Sequence, residues 1–286
     1  MPGEGLSNIK IDGEKLLVLE DVLGMEKARE LAVAQKVKAF GLLAGLLSRP
    51  KPEDIEIVYE EKRYDAFWRV LGASHFEYTR RKAYRVQVNP EVQEVETLGT
   101  KFHVMPNAKS FEIEGIERCI EEYRQEELVN AQDGNPGEYA KYVTYLSQQI
   151  TSTDKLTADG AFVVALEAKP AFLVRKVVNA LIKPILADHI IDEQIGISEL
   201  ALYFIPVYTF ELHWKAKDKR ITIAFDGVTG QQRANANKIT DKLRKSFTNA
   251  EIFEFGKEIA NFVPGGGLAM MVGKKAVEMY GEKKGE

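Results

Sequence analysis

The chain has 286 residues, and 45% of them are hydrophobic, so it is long enough to bury one large core or two ordinary ones. Its 39 lysine and arginine residues nearly balance 43 aspartate and glutamate residues, for a formal net charge of -4. This composition excludes a disordered chain and a chain drawn to nucleic acid by its overall charge.

Cysteine usage and the apolar stretches predict the compartment. The single cysteine, Cys119, has no partner for a disulfide within the chain, which indicates a reducing environment. Residues 1–5 lack the basic and then apolar order of a secretory signal. The uncharged stretch near the C-terminus, from Ile259 to Val272, is shorter than the roughly 20 residues that cross a bilayer. We therefore expect a cytoplasmic protein.

Residues 1–110 are predicted to form a first unit of helix, strand and hairpin. The hairpin is inferred from two alternating apolar runs, around Trp68 and Tyr84, that are separated by the basic residues 80–82. In chain order, the predicted elements are a strand pair within 8–20, a helix from about 24 to 47, a strand at 55–59, the hairpin at 67–88 and a strand at 100–104.

Residues 111–164 are predicted to be a helical connector. Its two helices, at roughly 113–130 and 138–151, are separated by a loop with strong turn residues at 131–137. The charged stretch from Glu114 to Glu127 is the basis for the first helix.

Residues 165–234 are predicted to repeat the order of the first unit. A helix from about 171 to 195, kinked or broken at Pro184, leads to a strand and then to a hairpin with its basic turn at 217–220. Residues 235–286 are predicted to hold C-terminal helices with a glycine joint. The expected fold class is therefore α+β, with two related helix-plus-antiparallel-hairpin units, additional helices and a short C-terminal helix.

The second hairpin resembles a known module. An aromatic strand at 207–212, a charged turn and an apolar strand that closes on residues 226–230, with the sequence Asp-Gly-Val-Thr-Gly, are similar to PepSY, the peptidase-propeptide and YpeB module. The resemblance covers residues 207–230. It implies a small binding module, with a helix packed on a sheet and no catalytic residues.

No motif predicts catalysis or a cofactor. The glycines and lysine at 267–274 lack the spacing of a phosphate-binding loop. A cluster of possible metal ligands, Asp188, His189, Asp192 and Glu193, has no second element to complete a site, so no metal is expected. An enzyme whose site is assembled from distant polar residues, for example Asp188, His189 and Asp192, stays open as the alternative.

Candidate interaction residues lie at the hairpin turns and in the tail. Basic residues beside aromatic ones are the pattern that binds single-stranded nucleic acid, but exposed charged turns are common, so nucleic-acid binding is not expected. The apolar tail followed by lysines would allow at most weak membrane contact. The candidates are Arg80, Arg81, Lys82, Trp214, Lys219, Arg220, Phe262, Leu268, Met270 and Met271.

The favoured function is a non-enzymatic interaction or scaffold protein that associates with itself or with another protein. An apolar segment at 39–47, with small residues that permit close packing, and the lack of a coherent catalytic set both favour this reading. No cofactor is expected.

Overall fold

The computed structural model describes residues 10–11, 13–41, 50–105, 107–234 and 252–253. Within these residues the chain is mostly β-structure. The strands are β1 (Lys10–Ile11), β2 (Glu14–Leu19), β3 (Ile55–Gln87), β4 (Glu94–Thr97), β5 (Thr100–His103), β6 (Ser110–Asn130), β7 (Ser147–Ile150), β8 (Phe162–Val163), β9 (His189–Trp214) and β10 (Lys219–Asp226). The helices are α1 (Gly24–Ala39), α2 (Asp154–Thr157) and α3 (Pro170–Leu181), with short 3-10 turns at 52–54, 142–144 and 215–217.

Eight of these strands form one mixed sheet, which overturns the α+β prediction with its two helix-plus-hairpin units. The main order is β6, β3, β9, β2, β7. Strand β3 runs antiparallel to both of the other long strands, β6 and β9. Strands β10 and β1 pair with other parts of β9, and β8 pairs with β3. Strands β4 and β5 form a separate two-stranded sheet.

The predicted first hairpin is wrong, because β3 continues without a turn for 33 residues. The basic residues 80–82 sit in extended backbone and pair with residues 117–115 of β6. Basic side chains alone do not make a turn, and this segment contains none of the Gly, Pro, Asn or Asp residues that bend a chain. The first predicted helix is shorter than expected and ends at Ala39, and residues 42–49 lie outside the described residues.

The predicted connector helices are also wrong. Residues 110–130 form strand β6, and the second segment contains a 3-10 turn and β7 instead of a helix. Ile113, Ile116 and Ile120 are three and four residues apart, which imitates helical spacing. Their burial instead follows a period of two residues, because β6 pairs continuously with β3.

The elements predicted in the second unit are closer to the structure. The helix predicted from about 171 to 195 is too long, because α3 ends at Leu181, before Pro184, and residues 189–195 belong to β9. The hairpin of β9 and β10 turns at 215–218. The strand predicted around Leu202 lies within β9, and the strand predicted at 100–104 corresponds to β5.

The two faces of the sheet are covered differently. On the helix face, defined by Leu202, Phe204 and Phe210 of β9, α3 covers one end and α1 the other. Gly72 allows this packing, because a Cβ atom there would lie 2.8 Å from side-chain atoms of both Leu181 and Val177 of α3. The opposite face, defined by Tyr203, Ile205 and Val207, is covered by the segment around Tyr142 and by Val228. We call it the cleft face.

Beyond His189, the first residue of β9, strands β3 and β6 continue as a two-stranded arm formed by residues 80–87 and 110–117. Residues 81–87 are exposed along its length. The small sheet of β4 and β5 lies at the tip, where Phe102 contacts Phe111 with ring centroids 5.4 Å apart.

Candidate functional site

A polar cleft of about 730 Å³ opens on the cleft face, where β3, the end of β10 and the segment 130–142 meet. Its floor comes from alternating residues of β3. Arg63 and Asp65 line the cleft, and because they are two residues apart, their side chains project from the same face of the strand as those of Tyr59 and Glu61. Glu61 and Arg63 are buried. Charged side chains are rarely buried unless they are paired, so their partners define the site.

The turn after β10 places the central carboxylate, Asp226. One of its oxygens, Oδ1, accepts hydrogen bonds from the backbone N–H groups of Val228 and Thr229, at 3.0 and 2.9 Å. The turn is closed by Gly230, which has a φ of +71° and donates its N–H to the Asp226 carbonyl. Gly227 is needed because a Cβ atom there would lie 2.8 Å from the carbonyl oxygen of Pro206.

The other oxygen of Asp226 joins a chain of paired charges. Oδ2 accepts a hydrogen bond from the Tyr142 hydroxyl at 2.5 Å and one from Arg233 Nη2 at 2.9 Å. Arg233 also contacts Asp65 Oδ2 through Nη1 at 2.5 Å, and Asp65 Oδ1 accepts a hydrogen bond from Arg63 Nε at 2.9 Å. We call Arg63, Asp65, Tyr142, Asp226 and Arg233 the ion network.

Burial and hydrogen bonding move the pKa values of Asp226 and Tyr142 away from neutrality. Burial by itself would raise the pKa of Asp226, but the Tyr142 hydroxyl and the Arg233 guanidinium outweigh it and lower that pKa below its ordinary value. Burial raises the pKa of Tyr142, and its bond to the Asp226 carboxylate raises it further. At neutral pH the carboxylate is therefore ionised and the phenol is protonated. Neither group is tuned to exchange a proton near neutrality, as a general acid or base would be.

Exposed polar side chains line the mouth of the cleft. Lys141 lies over the Tyr142 ring, with its Nζ atom 5.1 Å from the ring centroid, and both Lys141 and Glu138 are exposed. Three exposed glutamines also line the cleft: Gln132, Gln231 and Gln232. Carboxamides both donate and accept hydrogen bonds, so this mouth can contact a polar ligand of either hydrogen-bonding type.

A second candidate surface is the outer edge of β6, which we call the β6 edge. Strand β6 pairs with β3 on one side, and no strand of the described residues pairs with its other side. An isolated bridge from Val129 to Pro136 occupies only the last residues of that side. Its even-numbered side chains, from Glu112 to Glu126, are exposed. Among them, the side chains of Ile116 and Ile120 are 74% and 61% exposed.

Two of the predicted basic residues on β3 are paired with a carboxylate of β6. Arg80 and Lys82 both contact Glu117, at 2.5 and 3.3 Å. Hydrogen bonds from Tyr84 and then from Arg80 and Lys82 lower the pKa of Glu117 to about 2. Arg81 lies beside them on β3 and is exposed.

The second group of predicted residues lies at the other end of the sheet. Trp214 is buried against Phe40, with ring centroids 5.8 Å apart, so its ring is not free to stack on a base. Lys219 and Arg220 begin β10, and Arg220 contacts Glu211 at 3.5 Å. The predicted tail residues Phe262, Leu268, Met270 and Met271 lie outside the described residues.

The acidic and histidine residues weighed as a metal or catalytic cluster lie at the start of β9, outside the residues that line the cleft. Asp188 accepts a hydrogen bond from the backbone N–H of Arg81, and Asp192 lies 4.0 Å from His75. The described part of the chain contains no group of three or more His, Cys, Asp or Glu residues placed to hold a metal ion.

Sequence reasoning missed the ion network. It singled out Asp226 only as part of a turn, and it did not connect that residue to Asp65, Tyr142 or Arg233. The one available signal was the Asp-Gly-Val-Thr-Gly turn itself, because an aspartate that closes a strand at such a turn often binds backbone N–H groups.

Comparisons with known protein families, with curated proteins and with solved structures found no match to this chain. Over the residues that the structure describes, no helix combines the length and the apolar character required to cross a membrane.

Proposed function

We propose that this chain is a non-enzymatic interaction protein that associates with itself, and that the β6 edge is its contact surface. The observation that carries this proposal is a 21-residue strand at the border of the described sheet. An edge strand offers a row of backbone N–H and C=O groups that can pair with a strand of another chain.

The side chains of the β6 edge support association with a specific partner. Charges of both signs alternate along the strand, with Glu114, Arg118 and Glu122 among the exposed residues. Mixed charges deter indiscriminate pairing, but they favour a partner with the complementary order. The exposed Ile116 and Ile120 supply apolar area that a partner would remove from water.

The ion network favours binding or structure over catalysis. Asp226 has a lowered pKa, Tyr142 has a raised one, and both are held by fixed partners. We also propose that the protein acts in the cytoplasm, where Cys119 would stay a free thiol, as it is here.

The proposal predicts a dimer or larger assembly that depends on β6. Light scattering on the purified chain should give an oligomer at micromolar concentration, and Ile116→Lys should shift the mass toward the monomer because it places a charge where apolar area is buried. Val22→Lys, at an exposed apolar position away from β6, is the matched control and should leave the mass unchanged. A monomeric wild-type chain at every concentration would disprove the proposal.

The cleft favours a second candidate function, the binding of a small polar ligand with or without chemistry. A volume of about 730 Å³ lies within the range of small-molecule sites, and Lys141 and Glu138 stand at its mouth. Native mass spectrometry of the purified chain should then detect a retained small molecule. Lys141→Ala and Glu138→Ala should release it, and Lys101→Ala, in β5 of the arm tip, should not. If no molecule is retained and a library of polar metabolites leaves the melting temperature unchanged, this candidate is excluded.

A further inference from the structure

We infer that two copies of this chain pair through their β6 strands in one antiparallel register, with Ile116 opposite Ile116 of the second copy. This inference rests on the proposed function and adds the identity of the partner and the exact contact. It follows from the order of charged and apolar residues along the β6 edge.

Two-fold antiparallel pairing limits the possible registers. Residues opposite each other in an antiparallel pair share a face, so an even-numbered residue of β6 must lie opposite an even-numbered residue of the second copy. In each register the two-fold axis therefore passes through one residue of β6, which lies opposite the same residue of the second copy. Three registers place an exposed isoleucine opposite another, and they are centred on Ile116, Arg118 and Ile120.

Charge separates these three registers. When the two-fold axis passes through Arg118, Arg118 faces Arg118 of the second copy and Glu114 faces Glu122, although Glu112 faces Arg124. When the axis passes through Ile120, Arg118 faces Glu122, but Glu114 faces Glu126. Like charges directly opposite each other destabilise a strand pair. When it passes through Ile116, Arg118 faces Glu114 at two symmetric positions, and no like charges meet between residues 110 and 122.

The Ile116 register also uses the accessible end of the strand. Ile116 is opposite Arg81 in the arm, beyond the end of β9. Helix α3 contacts the other end of β6, where Lys176 Nζ lies 2.8 Å from Glu127. Glu114 makes no ion pair among the described residues, so its carboxylate is available to a partner.

A charge exchange tests the predicted contact. Arg118→Glu and Glu114→Arg should each weaken association at least about tenfold, because each turns two attractive pairs into two repulsive ones. The double variant R118E/E114R should restore the wild-type dimer. Arg118 also contacts Glu77 within its own chain, and that contact is lost in R118E and in the double variant alike. Restored association therefore reports the contact between copies.

Cysteine crosslinking tests the register independently. In a Cys119→Ser background, Ile116→Cys should crosslink two copies through a short thiol reagent, whereas Ile120→Cys should not, because Ile120 then faces Glu112. A stable dimer that crosslinks through position 120, or that fails to recover in the double charge variant, overturns the register and leaves self-association standing. A strictly monomeric chain overturns both. Hydrogen exchange would then show whether β6 is protected, as it would be if another segment of its own chain covered the edge.

Discussion

Replacing Asp226 with asparagine is expected to destabilise the fold by about 3 kcal/mol at neutral pH, the lower end of the range for breaking a buried ion pair. Asparagine keeps the shape of the side chain, and its oxygen can still accept the N–H groups of Val228 and Thr229. Its NH₂ group, however, would face the Tyr142 hydroxyl and Arg233, which both donate hydrogen bonds to Asp226 in the wild type. Urea unfolding of both chains measures the difference.

The same variant should lose part of the acid sensitivity of the wild type. The pKa of Asp226 is lower in the folded state than its ordinary value, so its ionised form stabilises the fold above the unfolded pKa, which is about 4 for an aspartate. That contribution disappears as the pH falls through the lowered folded pKa. The free energies of unfolding of wild type and D226N should therefore converge in acid.

Tyr142→Phe is the variant to compare with D226N, because it changes the ion network without removing its carboxylate. It removes one hydrogen bond to the carboxylate and leaves the Arg233 pair intact, so it should cost roughly 1.5 to 3 kcal/mol. A D226N chain as stable as the wild type at neutral pH, or a stability gap that persists unchanged in acid, would contradict the assignment of Asp226 as the ionised centre of the network.

Phe253→Ala is expected to cost about 3 to 5 kcal/mol, the range for truncating a buried aromatic residue. Phe253 is 3% exposed and packs edge-on against Trp68, with ring centroids 5.7 Å apart. The loss should be visible in the fluorescence of Trp68, because removing the phenyl ring lets water reach the indole. A Trp214→Phe background leaves Trp68 as the reporter, since the chain has two tryptophans.

Phe172→Ala provides the control for this second prediction. Phe172 lies on α3 and is 68% exposed, so its truncation should change the free energy of unfolding by less than about 0.5 kcal/mol. If F253A and F172A are equally stable and the emission of Trp68 does not shift, Phe253 does not pack against the core in solution.

The sequence by itself was sufficient where local chemistry and final structure agree. Pro184 was expected to kink or break a helix, and α3 ends before it because proline cannot continue the backbone hydrogen bonds. The hairpin of β9 and β10 was predicted from two alternating strands around a charged turn, and Asp218 at that turn adopts a left-handed φ of +48°. In both places the deciding interactions lie within a few residues of one another.

The long strands were decided by partners far away in the sequence. Residues 80–82 look like a turn, and residues 113–130 show helical spacing, yet each segment becomes a strand because the other pairs with it. The backbone hydrogen bonds and the cross-strand contacts from Arg80 to Glu117 and from Arg69 to Glu126 exist only when both strands are extended. Local patterns do not contain that information.

The candidate sites also combine a local part, which the sequence predicts, with a part that depends on distant residues. The turn at residues 226–230 was readable because its hydrogen bonds are local, whereas the ion network joins Asp65, Tyr142 and Arg233 across 168 residues of sequence. The alternating charges of β6 were present in the sequence, but their exposure at a sheet border depends on which strands occupy the neighbouring positions. The sequence therefore determined the turns and the helix end, and the tertiary structure decided the strand pairing, the cleft and the open edge, because these depend on contacts between distant residues.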